Sequence, residues 1–258
     1  MLHQRVTSKF PTLERPMKRS ERRRAEAHQR SYEARLRKDA AEKFSGLPQD
    51  IKDDIAAVVR AVSYTTGGGT CMFRAFTGGM ALQAAGIEAD RVVGGMLYRV
   101  GPDPMRDVVG FYGPGNFGCI RDGRFLGHSW LRVGDDLVDF SVGDWRKENE
   151  LLGTAHRRRA GRAATWTIEP PDYFWAPWAD FMPPVPAVIA GKIGKIWTPD
   201  IGRAVYPGFN GSDADRRQLA EPNDTMMELL QLALPAIIEQ AKRFELRQRV
   251  DAWQKTQQ

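Results

Sequence analysis

The chain has 258 residues, of which 42% are hydrophobic and 27% charged, with a net charge of +6. That is the composition of a soluble globular protein, long enough to bury a core without covalent staples. Two cysteines make no disulfide framework, and the most apolar stretch, FMPPVPAVIAGKIGKIW, carries three prolines and two lysines, which excludes a membrane span there.

The start of the chain, MLHQRVTSKF, is basic without an apolar core, so it does not read as a secretory signal. With reduced thiols as the simpler reading of Cys71 and Cys119, the expected compartment is cytoplasmic. Residues 1–45 hold 13 Lys and Arg against 6 Asp and Glu, so the whole basic excess lies in this arm. Rich in Arg, Ala and Glu and poor in large apolar residues, it reads as a solvated, partly helical extension. Its two roles are a plain charged helix or a contact for nucleic acid or an acidic partner through Arg22, Arg23, Arg24, Arg35, Arg37 and Lys38. The body is expected over 46–258.

Pro48 suits a first helical turn, and Ile51, Ile55, Val58, Val59 and Val62 then recur on one helical face. Asp50, Asp53 and Asp54 complement the positive end of that helix. SYTTGGGT is a loop. A second helix is expected from about Cys71 to Ala85, with Phe73, Phe76, Met80 and Ala84 as its apolar stripe and Gly86 as its stop. Gly78 and Gly79 inside it cost about 1 kcal/mol each relative to alanine, which close packing would offset.

Short β-prone runs follow, DRVVGGMLYRVG, DVVGFYG, FLGHSWLRV and DLVDFSV, with GPGNFGCIRDGR between them as a loop or ragged hairpin. The order helix, helix, antiparallel strands is the α+β pattern. The proline-rich aromatic segment over about 166–200 is expected to be irregular chain over the core. A long helix is expected over about 223–250, with Asn223 or Asp224 at its start and Pro235 as a kink point.

Cys71 stands in the first helical turn, where the dipole and free backbone N–H groups favour a thiolate. Its own N–H is placed to serve an oxyanion. Of four histidines, His3 and His28 lie in the arm and His156 in a basic loop. His128 lies in GHSWLRVGDDLVDFSVGDW, which reads as a hairpin. A two-residue turn at Gly134–Asp135 pairs Val133 with Asp136, Trp130 with Asp139 and His128 with Ser141. His128, Trp130 and Asp139 then share one face, and His128 and Asp139 are diagonal neighbours. Taken singly, Cys71 reads equally as a small buried side chain, His128 as a hydrogen-bonded sheet residue and Asp139 as a strand end. Together they form a nucleophile, a base and an orienting acid. Thr70 and Trp130 are the oxyanion or cleft candidates beside them. Cys119, in NFGCIRDG, is a thiol without assigned chemistry or a redox partner of Cys71.

From Gly67 to Trp145 the sequence resembles the transglutaminase-like superfamily of papain-like proteins. GTCMFRAFTGGMALQAAGIEADRVVGGMLYRVG matches its cysteine-opened helix and valine-rich strand, and GHSWLRVGDDLVDFS its HxW…D pair of strands. The resemblance implies a papain/transglutaminase-like fold with Cys71 as nucleophile, His128 as base and Asp139 as orienting acid. The second motif is also similar to the leader-peptide proteases of lasso-peptide biosynthesis. Arylamine N-acetyltransferases share the residue order, but their arginine-glycine pattern is absent from TTGGGTC. A papain-type glutamine is absent too, with Tyr64, Thr65 and Thr66 in its neighbourhood.

The expectation is a cysteine protease or amide hydrolase acting on a peptide or amide substrate. Transamidation or N-acyl transfer by the same triad, and a non-catalytic interaction protein working through the basic arm, are the alternatives. Neither metal nor organic cofactor is suggested.

Overall fold

A computed structural model describes residues 44, 46–63, 71–103, 107–110, 119–121, 124–126, 128–146, 164–181, 200–208 and 222–257. Of the basic arm only Phe44 is among them, and it is buried in the core. The six cationic residues assigned to a partner contact, Arg22, Arg23, Arg24, Arg35, Arg37 and Lys38, lie outside the described residues, as does His156.

The body is α+β. Helix α1 (Gln49–Ser63) buries Ile51, Ile55, Val58, Val59 and Val62, the stripe predicted from spacing. Its three aspartates hold more than the dipole. Arg249 of the last helix donates to Asp50 at 2.7 Å and to Asp54, and the Tyr173 hydroxyl donates to Asp53 at 2.5 Å.

Helix α2 (Cys71–Ala84) follows. It ends at Gly86, whose φ is +80°, with the Ile87 N–H returning to the Leu82 carbonyl and the Gly86 N–H to that of Gln83. This is the Schellman arrangement, and it satisfies carbonyls that a helix end leaves open.

The strands are β1 (Asp90–Arg99), β2 (Val108–Gly110), β3 (Cys119–Arg121), β4 (Arg124–Leu126), β5 (His128–Val133), β6 (Asp136–Asp139), β7 (Phe174–Pro177) and β8 (Ala204–Gly208). All pair antiparallel. The main sheet runs β2-β1-β5-β6-β7, with β8 also on β1, while β3 and β4 form a separate pair. Ten-residue β1 is the hub. Its first half pairs β5, and Leu97 and Tyr98 each pair both β2 and β8.

Two segments depart from expectation. The aromatic stretch over about 166–200 is not wholly irregular, because Phe174–Pro177 adds strand β7 to β6. Pro177 stands at the end of an edge strand, where the absence of its N–H costs no ladder bond. The single C-terminal helix is two helices, α3 (Asp224–Arg243) and α4 (Leu246–Thr256). Pro235 does not end α3. The break falls at Glu245, which takes the left-handed conformation (φ 51°). Asn223 is the cap, its side chain accepting the Met226 N–H at 2.8 Å.

Alternation along β5 and β6 divides the core. Leu131, Val133, Val138 and Phe140 join the helices in one cluster, while Trp130 and Leu137 join Tyr98, Trp145 and Tyr206 in another. Helix α2 meets the sheet at Gly78. A Cβ there would lie 2.6 Å from the Phe140 ring and 2.9 Å from Leu131. The glycine is needed for this approach, and packing offsets its helical cost.

Gly78→Ala is expected to lower the unfolding free energy by about 1–3 kcal/mol through overpacking. Gly79→Ala, where the added carbon meets Leu131 at an ordinary 3.7 Å, is expected to raise it by about 1 kcal/mol. Urea unfolding of the two variants side by side checks this, and equal effects would mean that α2 is not seated on the sheet at residue 78.

Candidate active site

The hairpin that carries His128 has the two-residue turn. Val133 pairs Asp136, Arg132 pairs Leu137 and Leu131 pairs Val138. Gly134 supplies the positive φ (56°) that such a turn needs at its first position. This register places His128 and Asp139 on one face. The His128 Nε2 and Asp139 Oδ2 lie 2.5 Å apart, in a fully buried setting.

Asp139 is held by four donors. Oδ2 receives His128 and the Tyr206 hydroxyl, the latter at 2.7 Å. Oδ1 receives the Ser141 N–H at 2.8 Å and the Ser141 hydroxyl at 2.6 Å. Trp145 Nε1 in turn donates to Ser141 Oγ at 3.3 Å. A buried carboxylate with this set keeps its charge. Burial pushes its pKa up, but the His128 charge and the hydrogen bonds from His128 and Ser141 outweigh it and hold Asp139 below its usual 3.8.

Cys71 is partly exposed at the N-terminal end of α2. It lies near enough to the His128 ring to act on that ring's titration. With Nε2 turned to the carboxylate, Nδ1 is the ring's second buried nitrogen. Burial pulls the His128 pKa down, yet the Asp139 charge, the nearby Cys71 and the Asp139 hydrogen bond overcome this and raise it from 6.5 to about 10. A protonated ring on the Asp139 carboxylate is the state this geometry favours.

The ring is boxed by aromatics. Trp130 stacks on it at 6.0 Å, and Trp145 and Tyr206 meet it at 5.8 and 5.9 Å. Trp130 is only 1% exposed and also packs on Trp178 and Tyr206. It therefore packs behind the His128 ring, in place of the cleft wall expected from sequence. The other cleft candidate, Thr70, lies outside the described residues. The backbone of Cys119 belongs to β3.

Arg74, one helical turn after Cys71, fixes α2 to the segment that follows β6. It donates to the Phe140 carbonyl at 2.9 Å and pairs with Asp144. Sequence reasoning missed Arg74, Ser141 and Tyr206 as parts of the site. Ser141 carried a local signal, since an aspartate accepting the N–H two residues on is a common turn. Tyr206 carried none. Its strand has a register shift opposite β1 between Gly95 and Leu97, so that Tyr206 and Pro207 together oppose Met96. Such a bulge re-aims a side chain, and here the Tyr206 hydroxyl reaches Asp139.

No protein-family model and no curated protein matches the chain. A solved structure, the genomics target APC5867, is similar at 15% identity and a TM-score of 0.44, over 74% of this chain and 82% of that one. A likeness so remote assigns neither a family nor an activity. Among the described residues, no helix is long and apolar enough to cross a membrane.

The buried pair ties stability to pH. Folding raises the His128 pKa, so its contribution is full below 6.5 and is lost as pH rises through about 10. Folding lowers the Asp139 pKa, so its contribution is present above 3.8 and is lost as pH falls through the folded value. Urea unfolding from pH 6.5 to about 10 is expected to show falling stability in the native protein and a flatter profile in His128→Gln. Parallel profiles would mean that His128 does not fold as the cation.

Proposed function

We propose that this chain is a thiol-dependent acyl-transfer enzyme of papain/transglutaminase-like fold that hydrolyses an amide or peptide bond. The observation that carries the reading is the buried His128–Asp139 pair at 2.5 Å, with Cys71, at a helix start, acting on the same imidazole. The α+β body and the order of the three residues along the chain support it.

In this reading Cys71 Sγ attacks the carbonyl carbon as the thiolate, with the proton already on His128. The Cys71 N–H, in the first helical turn and so without an intrahelical partner, receives the developing oxyanion. Collapse of the tetrahedral intermediate breaks the C–N bond, and the imidazolium gives its proton to the leaving amine. Neutral His128 next takes a proton from water, which attacks the thioester. The second collapse releases the acid and restores the thiolate–imidazolium pair. Asp139 holds the ring with Nδ1 toward the sulfur and stabilises its charge throughout.

Alkylation by iodoacetamide tests this without a known substrate. Cys71 is expected to react faster than Cys119 at neutral pH, and His128→Gln to remove the advantage. With an amide substrate in hand, Cys71→Ala is expected to abolish turnover and His128→Gln to lower kcat/KM by about 10²–10⁴-fold. A Cys71 no more reactive than Cys119 in the reduced, folded protein would overturn the proposal. Product mass with and without added amine separates hydrolysis from transfer.

A further inference from the structure

The hydrogen bond from Tyr206 falls on a particular oxygen. Asp139 Oδ2 already receives His128 Nε2 at 2.5 Å, and the Tyr206 hydroxyl reaches that same atom at 2.7 Å. Oδ1 is left to Ser141. A tyrosine needed only for packing would have no reason to share the base's oxygen. The ring alone satisfies the packing, lying 5.0 Å from Trp130 and 5.5 Å from Phe181 in edge-on contact.

We propose that Tyr206 is a positioning residue that, by donating to the Asp139 oxygen that holds His128, limits the pull of the carboxylate on the imidazole proton and so sets the pH range of the pair. The inference deepens the acyl-transfer reading and rests on it. Two donors at one oxygen divide its negative charge. With the phenol absent, that charge falls on the imidazole alone. His128 then holds its proton more tightly and becomes a poorer acid toward a leaving amine.

The groups facing this oxygen come from separate elements: His128 from β5, Ser141 from the turn after β6, and Tyr206 from β8. Cys71 of α2 acts on both His128 and Tyr206, and Tyr98 of β1 acts on Tyr206. Burial, then the Asp139 charge, push the phenol well above 10, so Tyr206 remains a donor wherever the site works.

The test is the NMR titration of the His128 ring in the full chain. Tyr206→Phe is expected to move its midpoint up by about one pH unit, the scale of a lost hydrogen bond to a charged group. 3-Fluorotyrosine installed at position 206, a stronger donor of nearly the same size, is expected to move it down. Loss of stability alone would shift neither. Two unchanged midpoints in folded protein would reduce Tyr206 to packing and overturn the proposal. If Tyr206→Phe does not fold, the fluorinated protein decides alone, and an unmoved midpoint counts against the proposal. Iodoacetamide labelling of Cys71 in the same samples reports separately on the acyl-transfer reading, so a dead nucleophile and an uncoupled tyrosine give different results.

Discussion

A fully buried carboxylate, Asp139, is the group the rest of the site is built around. Removing such an ion from water costs several kcal/mol unless its lone pairs are met by donors. Here they are met by His128, Tyr206, Ser141 Oγ and the Ser141 N–H. Three side chains and one backbone group are thereby fixed relative to one another. The aromatic box of Trp130, Trp145 and Tyr206 keeps the surroundings poorly polarisable, which strengthens each of these bonds. The same low dielectric would make any missing donor costly, so the shell functions as a set.

Cys71 belongs to a different layer. It rides on α2, which packs into the helical cluster, while Trp130 behind His128 belongs to the cluster on the other side of the sheet. Two contacts hold these layers in register near the site. One is steric, the approach of Gly78 to Phe140 and Leu131. The other is electrostatic, the bridge from Arg74 to the Phe140 carbonyl and Asp144. Phe140 takes part in both and follows Asp139 directly in sequence. The step that seats the helix is thus one residue from the step that seats the acid.

Much of this was legible because it is local. Helix α1 shows a clean apolar period, and α2 has glycine on both sides of an apolar run. The His128–Asp139 pairing needs only alternation and a two-residue turn at Gly134. Other features were hidden by the kind of physics that makes them. Strand β7 exists because β6 offers an edge, and its proline content disguised it. The break between α3 and α4 falls at Phe244 and Glu245, residues with no breaking tendency, while Pro235, which has one, sits inside α3. Tyr206 depends on a bulge and a partner 67 positions away, beyond the reach of any periodicity. The resemblance carried by the GTC and HSW stretches named three residues and was silent on the shell that holds them.

The sharing of one carboxylate by near and distant parts of the chain has a consequence for assembly. His128 and Asp139 are 11 residues apart and close a small loop, whereas the bond from Tyr206 spans 67. Short loops close early at low entropic cost, and long ones later. During synthesis α2 and the hairpin leave the ribosome well before β8 does. A nascent or truncated chain can bring His128 and Asp139 face to face while the shared oxygen still lacks its second donor. The strand that comes last in the chain and pairs β1 is then the one that brings the second donor, so the shell around Asp139 is complete only once the sheet is.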